Sequence, residues 1–233
     1  MQLLMQLFTQ LFDKPIASSA VVRRLMTAVS LATFALPVWA GTMNVTATSK
    51  SGEAMSDVVV YATKVSGPVA AASAKDVPAT IAQDHLQFTP YVTVVQVGSE
   101  IKFPNYDKVE HHVKSFSPAK EFEIKPYEKT TPPPILFDKT GIVVIYCLIH
   151  EWMRAYVMVV DTPYFGKSDA SGALVLNNLP PGNYEIRAWH PDMGSIKPPL
   201  LQSVKIDDQG AQQVKFNFDF VPKKRKTGSA SAG

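Results

Sequence analysis

Short apolar runs, separated by turn residues, dominate the chain from residue 42 onwards. Residues 42–48 (T-M-N-V-T-A-T) alternate between apolar and polar positions, which is the period of a half-buried β-strand. The runs 142–146 (I-V-V-I-Y) and 155–161 (A-Y-V-M-V-V-D) are more continuous and also favour strands. The stretch 127–134 contains three consecutive prolines and must be irregular, because proline cannot donate to a sheet ladder. The pattern predicts an all-β chain.

The remaining strands fall into two groups. In the first part of the chain they are predicted at 57–62, 91–97, 100–103 and 111–116, with a surface loop at 65–80. After Thr162-Pro163 they are predicted at 173–176, 184–189, 203–206 and 213–220, with a turn at 177–182. Short strands at regular spacing with Gly and Pro turns indicate a second, small antiparallel β unit. About sixty residues form a small core, so this unit is expected to pack on the first.

The first forty residues are typical of an export signal. Arg23-Arg24 precede an apolar stretch at 25–36, and Pro37-Val38-Trp39-Ala40 ends in a small-residue cleavage pattern. The apolar stretch is too short to span a bilayer comfortably, although an uncleaved anchor is the alternative. The predicted organisation is therefore a signal peptide at 1–40, one domain at 41–161, a second β unit at 162–221 and a disordered basic tail at 222–233. We expect an exported protein, periplasmic or extracellular, without stable membrane insertion after cleavage.

Charge argues against a nucleic-acid partner. The formal charge of the whole chain is +3, and removal of residues 1–40 leaves 20 basic against 19 acidic side chains. No basic stripe interleaved with aromatic residues is visible.

The single cysteine stands in the segment 147–153, Cys-Leu-Ile-His-Glu-Trp-Met, directly after the apolar run 142–146. In an oxidising compartment a lone cysteine cannot form an intrachain disulfide, so it is intermolecular, buried and inert, or a metal ligand. Cys147, His150 and Met153 can converge on one metal from a tight loop at a strand end. Thiolate and thioether are soft ligands and imidazole suits copper, so the set favours copper over magnesium or calcium.

A blue-copper site needs one more histidine. It consists of two histidines and a cysteine around the metal with a weak axial methionine. The segment 105–113 (N-Y-D-K-V-E-H-H-V) offers His111 and His112. Successive side chains of a strand point to opposite faces, so only one of the two can face the metal.

Taken together, these motifs resemble the cupredoxins of the plastocyanin and amicyanin families. The likeness is greatest to exported plastocyanin-like proteins often labelled methylamine-utilisation proteins. Their segment around the first ligand reads roughly F-x-N-x-D-x-x-x-H-[NH]-V-x-S, and residues 103–115 match it. Phe137-Asp138-x-x-Gly141 and the C-x-x-H-x-x-M segment supply the second half, with the short ligand spacing of amicyanin. The resemblance covers residues 85–162 well and 42–84 loosely.

The resemblance implies a Greek-key cupredoxin β-sandwich that binds one copper ion per chain. His111, Cys147, His150 and Met153 would be the ligands, and His112 is the alternative to His111. The first ligand of the family is usually followed by Asn, so His112 takes the position of a residue that braces the loop.

The same resemblance implies roles for residues around the ligands. Asn105, together with His112, is expected to hold the ligands in place. Electrons would pass through the exposed edge of His150, beside an apolar docking patch formed by Ile149 and Trp152. The C-terminal unit resembles the carboxypeptidase-regulatory, transthyretin-like sandwich through 169–172 (D-A-S-G) and 179–184 (L-P-P-G-N-Y).

The expected function is one-electron transport by a non-enzyme that docks transiently to redox partner proteins. The motifs G-x-S-x-G, H-E-x-x-H and a glycine-rich phosphate loop are absent from the sequence, so no catalytic constellation is apparent. One alternative is a copper-binding protein that buffers or delivers the metal without redox cycling. Another is a carbohydrate-binding or adhesion module, built on the C-terminal unit, in which copper is structural.

Overall fold

Seventeen β-strands and one short 3₁₀ helix, Pro191–Met193, make up the regular structure in the computed structural model, which describes residues 41–67, 79–207 and 211–225. The predicted signal segment 1–40 lies outside the described residues. The strands are β1 (Gly41–Thr48), β2 (Val59–Lys64), β3 (Ala79–Thr80), β4 (Ala82–Asp84), β5 (Gln87–Thr89), β6 (Val92–Gln96), β7 (Ser99–Lys102), β8 (His111–Ser117), β9 (Lys120–Tyr127), β10 (Ile135–Phe137), β11 (Gly141–Cys147), β12 (Arg154–Val160), β13 (Phe165–Lys167), β14 (Ala173–Leu179), β15 (Gly182–Trp189), β16 (Leu200–Ile206) and β17 (Gln212–Asn217).

The all-β prediction is confirmed, and the period-2 pattern explains it locally. In β1, Met43, Val45 and Ala47 are buried while the residues between them are partly exposed. One face of such a strand packs against a core, and the opposite face carries the partly exposed residues.

A five-stranded sheet in the order β6-β12-β11-β8-β9 carries the predicted metal-binding segments. The first residue of β8 is His111 and the last residue of β11 is Cys147. β11 and β8 are antiparallel neighbours, with Cys147 opposite Val113. The end of one strand therefore lies beside the start of the other, and two residues 36 positions apart in sequence are brought together.

Strand β12 lies between two hydrophobic cores. Ala155, Val157 and Val159 belong to the core that also contains Cys147 and Met153. The alternate residues Tyr156, Met158 and Val160 belong to the core of the C-terminal strands. Burial on both faces explains why the run 155–160 is almost continuously apolar instead of alternating.

Strand pairing differs from the predicted division of the chain at residue 161. β1 lies between β14 and β17, and β2 lies between β13 and β15. The first two strands thus complete the sheets of the C-terminal unit, and β3 to β12 form the part between them that carries the predicted metal-binding segments. All described residues fall within one compact unit. The transthyretin-like identity of the C-terminal unit stays a prediction.

The predicted basic tail begins with residues that make contacts. The backbone N–H of Lys223 donates to the Asp192 carboxylate at 2.7 Å, and the Arg225 guanidinium lies over the Tyr91 ring at 4.6 Å. Residues 226–233 lie outside the described residues. No helix in the described part of the chain is both long and apolar enough to cross a membrane.

Candidate metal centre

Three side chains converge at the edge of the five-stranded sheet. The Nδ1 atoms of His111 and His150 are 3.1 Å apart, and each lies 3.6 Å from Sγ of Cys147. Together the three atoms form a group within which every separation is below 4.8 Å. His111 and Cys147 are buried and His150 is half-buried. The structure therefore brings three of the four predicted ligands to one point.

The spacing of these atoms fits a metal ion. A point equidistant from three atoms with separations of 3.1, 3.6 and 3.6 Å lies about 2.0 Å from each of them. Metal–imidazole bonds in proteins are about 2.0–2.1 Å long, and a metal–thiolate bond is slightly longer. One thiolate and two imidazoles form a donor set that suits transition metals such as copper and does not suit magnesium or calcium.

Backbone hydrogen bonds close the loop that carries Cys147, His150 and Met153. The Met153 N–H donates to the carbonyl of His150 at 2.9 Å, and the Cys147 N–H donates to the carbonyl of Met153 at 3.2 Å. Met153 is completely buried in the same core as Cys147. The fourth predicted ligand is thus fixed at the buried side of the loop, next to the start of β12.

Hydrogen bonds favour the thiolate form of Cys147. Burial raises the pKa of the thiol, but the contact with the His111 imidazole and hydrogen bonds from the backbone N–H groups of His112, Ile149 and His150 lower it by more, so that the pKa falls to about 6. The thiolate is the metal-binding form of cysteine. The loop is therefore arranged to present the sulfur as an anion near neutral pH.

A carboxylate fixes the orientation of His111. The Nε2–H of His111 donates to Oδ2 of Asp107 at 2.9 Å, and the imidazole is completely buried. Burial lowers the pKa of His111, but the interactions with Cys147 and Asp107 outweigh it and the net shift is upward. With the proton on Nε2, the lone pair of Nδ1 points to Cys147 and His150. Asp107 occupies a fixed position of the motif, four residues before His111, but no role for it was predicted from the sequence.

His112, the alternative ligand, lies on the opposite face of β8. Its Nε2 is 2.8 Å from Oε1 of Glu123, and its side chain is partly exposed. The expected bracing role is performed by its backbone: the carbonyl of His112 accepts from the Leu148 N–H at 2.9 Å, and its N–H contributes to the low pKa of Cys147.

Asn105 holds the segment that leads to His111. Its side-chain amide donates to the carbonyls of Val109 and Tyr127, both at 2.9 Å, and its Oδ1 accepts from the Asp107 N–H at 2.9 Å. Asn105 is buried, and it ties the loop before β8 to the end of β9. The residue therefore supports the position of Asp107 as well as that of His111.

The predicted docking patch surrounds the half-buried edge of His150. Ile149 is 49% exposed, and its neighbour Leu148 is equally open to solvent at 50%. The Trp152 ring lies 5.4 Å from the His150 ring, and its Nε1–H donates to the carbonyl of Leu86 at 3.1 Å. Trp152 thus serves partly as a support for His150.

Comparisons with known proteins give the following. No protein-family model and no curated protein sequence matches the chain. Similar solved structures include a purple cupredoxin from Nitrosopumilus maritimus, at 22% identity and a TM-score of 0.32 over 35% of this chain and 99% of that chain. A mutant amicyanin in its Cu(I) form has 23% identity and a TM-score of 0.33 over 43% of this chain and 99% of that chain. The copper-containing nitrite reductase of Thermus scotoductus SA-01 has 23% identity and a TM-score of 0.35, over 42% of this chain and only 25% of the reductase.

Proposed function

We propose that this chain binds one copper ion in a type 1 (blue) site and carries single electrons, without catalysing a reaction of its own. The observation that supports this most directly is the convergence of one sulfur and two Nδ1 atoms at 3.1 to 3.6 Å. His111, Cys147 and His150 would bind the metal, and Met153 would be the weak axial ligand. Copper, when bound, supplies a Cu(II)/Cu(I) couple whose potential depends on the axial ligand and on the surroundings of the thiolate.

The frame of the site supports this proposal because strand pairing and backbone hydrogen bonds fix the backbone of its ligands. His111 and Cys147 lie on paired strands, and backbone hydrogen bonds close the loop 147–153. Ligands that are fixed by buried strands need to move little when an electron arrives or leaves. A small reorganisation is what a carrier requires, whereas a transport site gains from ligands that open easily.

We further propose that electrons enter and leave through the exposed edge of His150. This edge lies beside Leu148 and Ile149, whose side chains are about half exposed. Exposed apolar side chains beside a proposed ligand suit a small, transient encounter with a redox partner. The predicted export signal and the low net charge of the remaining chain fit a periplasmic carrier.

Reversible redox cycling distinguishes the carrier from the copper-delivery alternative. Voltammetry of the copper-loaded protein, combined with a challenge by a Cu(I) chelator, tests both properties in one preparation. A carrier gives a reversible one-electron wave and retains copper in both oxidation states. Rapid loss of Cu(I) to the chelator without a reversible wave would contradict the proposal and favour delivery.

A further inference from the structure

The carboxylate of Asp107 connects the buried ligand His111 to a neighbouring hairpin. Its Oδ2 accepts from His111 Nε2 at 2.9 Å and from the Leu86 N–H at 3.1 Å. Its side chain is only 13% exposed, and the His111 side chain is completely buried. A negative charge therefore lies behind one of the proposed copper ligands, where water screens it weakly.

We propose that Asp107 is a positioning residue that keeps the proton of His111 on Nε2, and that its charge lowers the reduction potential of the copper site. This inference rests on the proposed function, because it concerns the same site. A carboxylate that accepts a hydrogen bond from a metal-binding histidine fixes the tautomer and increases the basicity of the ligand. A more basic ligand and a nearby negative charge both stabilise Cu(II) more than Cu(I).

The position of Asp107 is itself fixed from two sides. Asn105 Oδ1 accepts from the Asp107 N–H, and the Leu86 N–H donates to the carboxylate. Leu86 and His85 form the two-residue turn between β4 and β5, with φ angles of 55° and 53°. Positive φ at both central residues is the signature of a type I′ hairpin turn. A turn of this type fixes the direction of the Leu86 N–H.

The same turn also supports the second imidazole. The carbonyl of Leu86 accepts from Trp152 Nε1 at 3.1 Å, and the Trp152 ring lies 5.4 Å from that of His150. The backbone of Leu86 thus forms hydrogen bonds with Asp107, which contacts His111, and with Trp152, which contacts His150. This arrangement gives Asp107 a rigid anchor, as positioning of a ligand requires.

Two substitutions separate the charge of Asp107 from its hydrogen bond. Asp107→Asn keeps an oxygen acceptor of the same shape and removes the charge, whereas Asp107→Ala removes both. The matched control is Asp138→Asn, which removes one carboxylate from the exposed pair with Lys120. Copper affinity in both oxidation states and the reduction potential are measured on the copper-loaded full chain, and His111 is followed by nitrogen NMR in the metal-free protein.

We expect Asp107→Asn to weaken Cu(II) binding by roughly 10-fold, the lower end of the usual effect of such a partner, with a smaller loss for Cu(I). Because Cu(I) binding is weakened less than Cu(II) binding, the potential should rise, by up to about 59 mV if the two losses differ by a full factor of ten. Asp107→Ala should weaken Cu(II) binding by roughly 100-fold and let His111 populate both tautomers, while Asp107→Asn retains the Nε2–H form.

Two results would overturn the inference: an unchanged potential in both Asp107 variants, or an equal rise of the potential in Asp138→Asn. An unchanged His111 tautomer in Asp107→Ala would also refute the positioning role. Failure of the proposed function is a different outcome, since the unaltered protein would then show no reversible copper couple. In that case the tautomer of His111 in the metal-free protein still decides whether Asp107 positions it.

Discussion

His111 and His112 are consecutive residues of β8, yet their imidazoles lie on opposite faces of the sheet. Nδ1 of His111 is 3.6 Å from the sulfur of Cys147, whereas Nε2 of His112 is 2.8 Å from the carboxylate of Glu123. One histidine therefore belongs to the candidate metal centre, and the other to a cluster of surface ion pairs.

These neighbours provide a matched pair of variants. His111→Ala should abolish the intense blue absorption of the copper-loaded protein, because it removes one of three converging ligands. His112→Ala should retain the absorption, since the backbone of His112 rather than its side chain contacts the loop. Visible absorption, with far-ultraviolet circular dichroism as a check of folding, measures the difference. Loss of colour in His112→Ala alone would exchange the two assignments.

Replacement of Met153 by Leu should leave the blue site in place and raise its reduction potential. Met and Leu are similar in volume, so the buried position tolerates the change at a cost below about 1.5 kcal/mol. The thioether that weakly stabilises Cu(II) is lost, and the site becomes more apolar. Voltammetry of the variant gives the shift.

The control for this experiment is Met158→Leu, which makes the same change within β12, where the side chain belongs to the second core. It should leave the potential unchanged. Complete loss of copper in Met153→Leu would show that Met153 contributes more than a weak axial bond.

The ion pairs of Glu123 should make the metal-free protein sensitive to acid. Hydrogen bonds from Lys125, His112 and Lys114 lower the pKa of Glu123 from 4.5 to about 2. Because the folded-state pKa is depressed, the stabilisation is present above about pH 4.5 and is lost as the pH falls towards about 2. Glu123→Gln should therefore lose less stability over this range than the unaltered protein.

Thermal unfolding of the metal-free protein at several pH values tests this. The comparison variant is Glu121→Gln, a change on the same strand, which should retain the acid sensitivity of the unaltered protein. If the melting temperature falls equally steeply with decreasing pH in Glu123→Gln and in the unaltered protein, the ion pairs of Glu123 contribute no stability.

The two cores should unfold as one cooperative unit, because β12 contributes alternate residues to both. Leu176→Ala removes a buried side chain from the core of the C-terminal strands and should lower the free energy of unfolding by about 2–5 kcal/mol. The neighbouring Val175 is 48% exposed, and Val175→Ala should change the free energy by only about 0.5 kcal/mol. In Leu176→Ala, the midpoint for loss of the copper absorption and the midpoint for loss of the β-sheet circular dichroism should shift together.

Two separate transitions, with the copper absorption unaffected by Leu176→Ala, would contradict this coupling. The control Val175→Ala shows how much of any shift is caused by a substitution in β14 that leaves the core unchanged.

The ligand loop could be predicted from sequence because its geometry is local. Cys147, His150 and Met153 lie within seven residues, and the hydrogen bonds that close the loop join only those residues. The His111/His112 alternative also depends on a local property, since neighbouring side chains of a strand point to opposite faces. Chemistry and local geometry therefore predict the loop ligands and show that only one of the two histidines can join them, whereas the approach of His111 to Cys147 depends on the pairing of β8 with β11.

Contacts between distant segments could not be predicted in the same way. The approach of Leu86 to Asp107 and Trp152 depends on where the β4–β5 hairpin lies in the fold, and no periodicity encodes it. The pairing of β1 with β14 and β17 likewise joins residues more than a hundred positions apart. β9 is not among the predicted strands, although Phe122 and Ile124 alternate there with charged residues in the period of a strand.

The most direct test of the central claim is the visible absorption spectrum of residues 41–233 during titration with Cu(II), followed by reduction and reoxidation. The proposed site predicts an intense blue band that saturates at one equivalent, disappears with a reductant and returns with an oxidant. In Cys147→Ser the band should be absent and copper binding much weaker. A colourless copper complex, or a blue band that persists in Cys147→Ser, would contradict a thiolate–copper site at Cys147.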